Sequence, residues 1–242
     1  MKVTLTRPSS DCAFIEFQSE KANSFSQKML EELAHSISKI GSENIYSEVK
    51  VIVIQSSGEN TFSAGASFEE FQRVSTTEEA NQYFSGFMKV LESIRNSSSP
   101  IVCRVQGRAV GGAVGLIAAC DYVFAHSSAA VKLSELELGI GPFTISPALE
   151  RKLGRAKFSE MLLDGKWKDS TWAQSAGLFN QTFSSLEDLN KELNLFVQRL
   201  CLQGKKTLSE NRKLLWEGTE NWPKLIKERV TIVSDLLITT KK

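Results

Sequence analysis

Residues 111–121 read Gly-Gly-Ala-Val-Gly-Leu-Ile-Ala-Ala-Cys-Asp, and this stretch decides the fold. It follows a β-type run at Ile101–Val105 and a short glycine-containing connection, Gln106–Arg108. A strand, a glycine turn and a small-residue helix leave the first N–H groups of the helix without intrahelical partners. Because glycine has no Cβ, a ligand oxygen can approach those N–H groups closely. The stretch therefore predicts an anion or oxyanion site at the helix N-terminus.

One acidic residue downstream of this stretch is a candidate proton carrier. Glu135 ends the segment Val131–Glu135. A carboxylate in a partly apolar pocket can have a raised pKa and then serve as a general acid or base. A solvent-facing glutamate at the end of a strand is the plain alternative. An oxyanion site beside one proton carrier indicates chemistry on a carbonyl group that develops negative charge.

Strand patterns alternate with helical patterns over the first half of the chain. Val3–Phe17 is typical of a hairpin, and Val49–Ile54 is typical of a strand covered on both faces. Thr76–Glu79 forms a capping box that opens a helix, which ends before Pro100. Alternating strands and helices predict right-handed crossovers and a parallel sheet, so the fold class is α/β.

The second half of the chain turns helical. The strand, glycine turn and helix of residues 101–120 also occur near 51–71, which indicates an internal repeat of structure. Beyond Ser146–Pro147, with serine expected as the cap and proline at the first helical position, helical patterns dominate. Apolar residues recur at helical spacing over Leu189–Leu200 and Leu225–Leu237.

Composition excludes several classes of function. The 242 residues carry 29 basic and 28 acidic side chains, so no nucleic-acid partner is expected. The four cysteines are far apart in the sequence and lack metal-binding spacing, so we expect reduced thiols and no metal site. Met1–Arg7 lacks the apolar core of a signal peptide, and the longest apolar run, Ala109–Ala119, is too short to span a bilayer. We expect a cytoplasmic protein with no membrane partner.

Further motifs in a fixed order complete a resemblance to a known family. They are Lys21–Phe25, Thr61–Phe68, Leu162–Gly165 and Ala173–Leu178. Together with residues 111–121 they make the chain similar to the enoyl-CoA hydratase/isomerase (crotonase) superfamily, from about Val3 to about Phe183. The resemblance implies a crotonase-type ββα superhelix over residues 1–185 and a C-terminal helical oligomerisation segment over 186–242. It also implies a homotrimer or a hexamer.

The same resemblance implies roles for individual residues. The backbone N–H groups of Ala66 and Gly112 would hold the oxygen of a thioester, and Glu135 would carry the proton. The residues implied in binding the acyl-CoA are Lys21, Ala22, Ala64, Gly65, Gly111, Ile140 and Phe143. Coenzyme A is then part of the substrate, and no separate cofactor is expected. The plain alternatives are tight packing for the glycine pair, a solvated surface position for Lys21 and an ordinary core position for Phe143.

Gly115 departs from the pattern of the hydratases that use two glutamates, which have a glutamate at this position. With one carboxylate left, moving a double bond by a proton shuttle at Glu135 becomes an attractive alternative. Residues 111–121, Leu133–Glu135 and Ile145–Pro147 nevertheless look most like the bacterial methylglutaconyl-CoA hydratase-like subgroup, which implies hydration and a place in leucine degradation. Three functions stay open: an enoyl-CoA hydratase, an enoyl-CoA isomerase that uses Glu135 alone, and a non-catalytic CoA-ester binder. A second departure, Ser67 in place of the usual aspartate, is expected to cap the next helix.

Other functional classes lack their motifs. A dinucleotide-binding domain would show Gly-x-Gly-x-x-Gly, and the glycines at 111–115 do not have that spacing. A serine hydrolase would need Gly-x-Ser-x-Gly and a partner histidine, but His35 and His126 accompany no such motif. RNA-binding relatives of the subgroup carry a lysine-rich early helix. Residues 27–40 contain equal numbers of lysines and glutamates and no basic stripe.

Overall fold

Two β-sheets organise residues 1–241, the part of the chain that the computed structural model describes. The strands are β1 (Lys2–Ser9), β2 (Cys12–Gln18), β3 (Val51–Ser56), β4 (Thr61–Ser63), β5 (Ile101–Val105), β6 (Arg108–Val110), β7 (Tyr122–His126), β8 (Ala130–Lys132), β9 (Lys168–Asp169) and β10 (Gln181–Phe183). The helices are α1 (Gln27–Ser42), α2 (Phe68–Arg73), α3 (Thr77–Asn96), α4 (Gly112–Ala119), α5 (Ser146–Asp164), α6 (Ser170–Ser175), α7 (Leu186–Cys201), α8 (Lys205–Leu215) and α9 (Trp222–Thr240).

The strand order confirms the predicted fold class. The large sheet runs β1-β2-β3-β5-β7-β10, in which β1 and β2 form the predicted antiparallel hairpin and every later pair is parallel. The small sheet runs β4-β6-β8-β9. Each repeat places one strand in the large sheet, the next strand in the small sheet and a helix after it, as in β3-β4-α2 and β5-β6-α4. This alternation is the ββα unit expected of a crotonase-type superhelix.

Strand β3 shows why its sequence is almost continuously apolar. Ile52 and Ile54 face the main core, in which α1 and α3 also pack. Val51 and Val53 face the opposite side and pack in a second apolar cluster with α7. Because both faces of residues 51–54 are covered, this part of the strand is continuously apolar, and the alternation typical of a half-exposed strand is missing.

Local capping signals in the sequence are mostly realised. Thr76 and Glu79 form the predicted capping box of α3, and the Ser67 side chain accepts from the backbone at the start of α2. The prediction that Ser146 caps α5 is wrong, because Ile145 is the N-cap residue and Ser146 is already helical. The Ser146 hydroxyl bonds instead to Phe143 O and to Arg229 Nη1, so a tertiary contact takes the place of the cap.

The C-terminal helices pack on the core of their own chain. Arg212 of α8 is buried, and its Nε lies 2.9 Å from Asp121 Oδ2 at the end of the α4 segment. Trp216 Nε1 donates to the other oxygen of the same carboxylate at 2.7 Å. The buried face of α9 joins the main core through Ile226, Val230, Val233 and Leu237. A role in oligomerisation for residues 186–242, and the division at 185, stay predictions.

Two expectations drawn from composition can be compared with the structure. All four cysteines are free thiols, and three of them are buried. Among the helices of residues 1–241, none combines the length and the apolar character that a bilayer span requires.

Candidate active site

A cavity of about 240 Å³ lies at the N-terminus of α4. Its walls come from the β4–α2 connection, one face of α3, the β6–α4 turn and the segment between Ser134 and Ile145 that joins β8 to α5. Helix α9 contributes Val233. The predicted site residues that line this cavity are Ala64–Ala66, Gly111, Gly112, Glu135, Ile140 and Phe143. Sequence segments that lie far apart in the chain thus meet at one place.

The β4–α2 connection and the start of α4 lie side by side in the cavity wall. A Cβ atom added to Gly65 would lie 3.8 Å from Gly112 N. The N–H groups of Ala66 and Gly112 donate no backbone hydrogen bond within residues 1–241. Two N–H groups without backbone partners on adjacent segments are candidate donors to an oxygen that gains negative charge.

Hydrogen bonds to the neighbouring chain fix the β4–α2 connection. Phe25 N donates to Gly65 O, and Ser67 N donates to Phe25 O, both at 2.8 Å. The Tyr83 hydroxyl of α3 donates to Ser67 O at 3.2 Å. Ala66 lies between these bonded residues, so its N–H group is held in place while remaining unpaired. Preorganised donors of this kind need no rearrangement when charge develops.

Glu135 places a carboxyl group inside the cavity wall. Its Oε2 atom is buried and has no hydrogen-bond partner among the described residues. Burial raises the pKa of Glu135 to about 7, against the opposing effect of the backbone N–H groups of Glu135 and Ser134. For a carboxyl group with a pKa near 7, both the protonated and the ionised state are populated at neutral pH. It can therefore accept a proton and return it.

Gly111 makes room for this carboxyl group. A Cβ atom at Gly111 would lie 2.8 Å from Glu135 Oε1, and the residue has φ of +55°. Both the close approach and the left-handed backbone favour glycine over any other residue. The first glycine of the 111–121 stretch thus leaves room for the Glu135 carboxyl group, and the second supplies a candidate oxyanion donor.

The space next to Gly115 is occupied. This glycine is buried in α4, and a Cβ atom added to it would lie 2.4 Å from Ile145 Cβ and 2.5 Å from Ile145 Cγ2. The side chain of a glutamate at position 115 would therefore clash with Ile145, which does line the cavity. Among the described residues, Glu135 is the one buried carboxylate that lines the cavity, whereas the two-glutamate hydratases use a pair.

Most of the remaining wall is apolar. Phe84 and Phe87 come from α3, and Ile140 and Phe143 come from the segment before α5. Phe143 also packs against the main core, so it lines the cavity and contributes to the core at once. An apolar wall around a few polar groups suits an acyl chain with a polarised carbonyl at its end.

Two of the predicted CoA-binding residues lie outside the cavity. Lys21 is exposed and forms an ion pair with Glu69, while Ala22 O accepts from Ala64 N at 2.9 Å. Ala22 and Asn23 have positive φ, so the loop turns sharply beside the β4–α2 connection. Lys21 and Ala22 lie in surface hollows next to the cavity rather than in its wall. Their roles stay predictions.

Several wall residues were not identified from the sequence as part of the site, Phe87 and Val233 among them. Phe87 lies so close that a Cβ on Gly112 would sit 2.2 Å from its Cζ atom, and Val233 reaches the cavity from α9. The helical spacing of their segments indicated buried faces, and no local signal tells which part of the core a buried face covers.

Comparison with known proteins agrees with this geometry. The description "Enoyl-CoA hydratase/isomerase" belongs to the family profile that matches residues 8–233. A Bacillus subtilis protein named "Probable enoyl-CoA hydratase" is 27% identical over 207 residues, covering 85% of this chain and 79% of that protein. The mitochondrial methylglutaconyl-CoA hydratase of Rattus norvegicus is 28% identical over 167 residues, which span 69% of this chain and 52% of that protein.

Solved structures show the same fold. The crystal structure of enoyl-CoA hydratase from Bacillus halodurans superposes with a TM-score of 0.89 at 21% identity, covering 97% of this chain and 94% of that one. The Bacillus anthracis enoyl-CoA hydratase gives a TM-score of 0.83 at 22% identity, with 95% and 89% covered. Since the family profile spans nearly the whole sequence, the chain belongs to the enoyl-CoA hydratase/isomerase (crotonase) family of enzymes.

Proposed function

We propose that this protein adds water to the double bond of an enoyl-CoA thioester. The observation that carries the proposal is Glu135, a buried carboxyl group with an unpartnered oxygen, in a cavity that is also lined by the unpaired N–H groups of Ala66 and Gly112. The family acts on acyl-CoA thioesters. The names of relatives from bacteria and from mammalian mitochondria support hydration as the reaction.

In the proposed mechanism the thioester oxygen accepts hydrogen bonds from Ala66 N–H and Gly112 N–H. Glu135 removes a proton from a water molecule while the water oxygen forms a bond to C3. The electron pair of the C2–C3 double bond moves into the thioester as an enolate, whose charge the two donors stabilise. Glu135 then delivers the proton to C2, so the carboxylate is regenerated and one water is consumed for each product formed.

The rate of hydration is expected to depend on pH through Glu135. Only the ionised carboxylate can accept the proton of water, and burial raises the pKa of Glu135 to about 7. We therefore expect kcat/KM for hydration to rise about tenfold per pH unit below pH 7 and to level off above it. Initial rates with crotonyl-CoA between pH 5 and pH 9 test this. A profile that is flat between pH 5 and pH 8 would exclude a base with this pKa.

One observation favours a second candidate function. Ile145 fills the space beside Gly115, so Glu135 is the one buried carboxylate among the described residues of the cavity wall. A single carboxylate is sufficient to shuttle a proton between two carbons. An enoyl-CoA isomerase would use the same enolate and the same two donors but would need no water. The two reactions therefore differ in whether solvent oxygen enters the product.

Labelled water separates these candidates. In water enriched in ¹⁸O we expect the label in the 3-hydroxyl group of the product, detected by mass spectrometry. The matched control is a 3-enoyl-CoA substrate, whose conversion to the conjugated 2-enoyl-CoA without label would establish isomerisation instead. Binding of both thioesters with no turnover of either would assign the chain as a CoA-ester binder.

Substrate and assembly complete the proposal. Because methylglutaconyl-CoA hydratases occur among the relatives, methylglutaconyl-CoA belongs in the substrate panel, and leucine degradation is the corresponding pathway. We propose that Lys21 and Ala22 contact the CoA moiety, that CoA is part of the substrate rather than a separate cofactor, and that the chain assembles as a homotrimer or hexamer.

A further inference from the structure

The attacking water needs a second hydrogen-bonding group, because one hydrogen bond to Glu135 does not fix the orientation of the water relative to C3. The other polar side chains of the cavity wall are Tyr83, Ser134, Glu137 and Thr144. The Tyr83 hydroxyl already has a hydrogen-bond partner, Ser67 O, so it is not an unpartnered buried group, and Glu137 is exposed and pairs with Lys132 at 2.9 Å. Two hydroxyl groups remain as candidates for the second partner.

Thr144 is the buried one of these two. It is 5% exposed, and its Oγ1 atom has no hydrogen-bond partner in the part of the chain that the structure describes. The Oε2 atom of Glu135 is likewise buried and has no hydrogen-bond partner among the described residues. Buried polar atoms are almost always paired, and leaving one unpaired costs stability. Two such atoms in the wall of one cavity indicate a polar ligand that would satisfy both.

The place of Thr144 in the chain strengthens this interpretation. The next residue is Ile145, whose side chain fills the space beside Gly115. Position 115 is where the two-glutamate hydratases have their other carboxylate. In the chain, Thr144 therefore directly precedes the residue that occupies the space of that carboxylate. A short neutral side chain can contact a water molecule where a longer acidic one has no room.

We propose that Thr144 Oγ1 and Glu135 together hold the attacking water, and that Thr144 then binds the 3-hydroxyl group of the product. This inference rests on the proposed hydration. The Thr144 hydroxyl accepts the hydrogen of the water that is not transferred, so the other hydrogen faces Glu135 and a lone pair faces C3. Thr144 neither gains nor loses a proton, and Glu135 alone carries the transferred one.

A binding experiment tests the contact without turnover. We compare the Kd of 3-hydroxybutyryl-CoA with that of butyryl-CoA, which lacks the hydroxyl group, in wild type, Thr144→Val and Thr144→Ser. Valine has nearly the shape of threonine without the hydroxyl, and serine keeps the hydroxyl. In Thr144→Val we expect the Kd of the hydroxyacyl ligand to rise about tenfold while the Kd of butyryl-CoA stays within about twofold. Thr144→Ser should behave like wild type.

Kinetics and stability distinguish this role from a structural one. Thr144→Val should lower kcat for hydration about 10- to 100-fold with little change in KM, and Thr144→Ser should recover most of the rate. Its urea unfolding midpoint should equal or exceed that of wild type, because the variant removes an unpaired buried hydroxyl. A structural threonine would give the opposite result, a loss of stability with a proportionate loss of activity. Ser134→Ala is the matched control for the other hydroxyl of the wall and should affect hydration less than threefold.

The outcomes separate the two proposals. If wild type binds both ligands and hydrates thioesters but Thr144→Val changes neither the Kd ratio nor kcat, the role of Thr144 is overturned and the hydratase proposal stands. A loss confined to Ser134→Ala overturns it in favour of the other hydroxyl. If wild type binds neither ligand, the hydratase proposal fails and the assignment of Thr144 fails with it.

Discussion

Glu135→Gln is expected to lower the rate of hydration by about 100- to 10,000-fold while leaving the fold and CoA-ester binding intact. Glutamine has the same size as glutamate, so the space next to Gly111 stays filled. It cannot accept and return a proton, and the cavity wall has no second buried carboxylate among the described residues that could replace it. The measurements are kcat and KM for crotonyl-CoA and the Kd of butyryl-CoA.

The free energy of unfolding of Glu135→Gln provides a control for the integrity of its fold. The pKa of Glu135 is raised to about 7 in the folded protein and is near 4.5 in the unfolded chain, so the folded state holds the extra proton between these values. Stability contributed by that proton is present at low pH and is lost as pH rises through about 7. At pH 8 the Glu135→Gln protein should therefore be at least as stable as the wild type with its buried carboxylate.

Hydration by Glu135→Gln at the wild-type rate would exclude Glu135 from the mechanism.

An exposed carboxylate, Glu137, provides the matched comparison for Glu135→Gln. Glu137 follows two residues later in the same segment, lines the same cavity and pairs with Lys132 at the surface. Glu137→Gln changes the charge by the same amount, and we expect less than a threefold effect on kcat. A similar loss in both variants would indicate that the charge of the segment matters rather than a proton transfer at one atom.

The parts of the fold that could be predicted are those with local signals. The β-branched run of β3 and the Thr76–Glu79 capping box each depend on residues that are neighbours in the sequence. The capping box forms where the pattern placed it, and β3 forms with both ends two residues later than the predicted Val49–Ile54. The glycines of the 111–121 stretch gave the helix entry for the same reason. The Ser146 cap failed because its hydroxyl is taken by Arg229, which comes from a helix that no local pattern connects to it.

The parts of the site that could not be predicted are contacts between distant segments. Ile145 fills the space beside Gly115, and Val233 reaches the cavity from α9, yet neither pairing leaves a trace in the local sequence. The unpartnered state of Thr144 Oγ1 likewise depends on everything packed around it. The sequence indicated that a carboxylate is missing at position 115. The packing explains why one cannot be added there without a second change.

Gly115→Glu is accordingly expected to destabilise the protein rather than to restore a second carboxylate. The new Cβ alone would lie 2.4 Å from Ile145 Cβ, and the charge would be buried without a partner. Overpacking and an unpaired buried charge together should cost about 3–5 kcal/mol of the free energy of unfolding. Urea unfolding followed by circular dichroism measures this. Gly115→Ala, which adds the clash without the charge, should cost about 1–3 kcal/mol.

The double variant Gly115→Glu/Ile145→Gly tests whether Ile145 is the obstacle. Ile145→Gly alone leaves a cavity and should cost about 2–5 kcal/mol. Because the glutamate side chain can enter the vacated space, the two changes should compensate, and the double variant should be more stable than the sum of the single effects by at least about 1 kcal/mol. Strict additivity would mean that residue 145 does not control the space beside position 115.

The activity of that double variant then addresses how this site handles water. If hydration is limited only by the missing second carboxylate, the double variant should hydrate crotonyl-CoA faster than Ile145→Gly does. If Thr144 and Glu135 already hold the water, the new carboxylate competes for it, and hydration should fall below that of Ile145→Gly. We expect the second result, because Thr144 directly precedes residue 145 in the chain and its hydroxyl has no hydrogen-bond partner among the described residues. A gain in hydration would instead identify the wild-type site as a two-carboxylate hydratase that lacks one member of its pair.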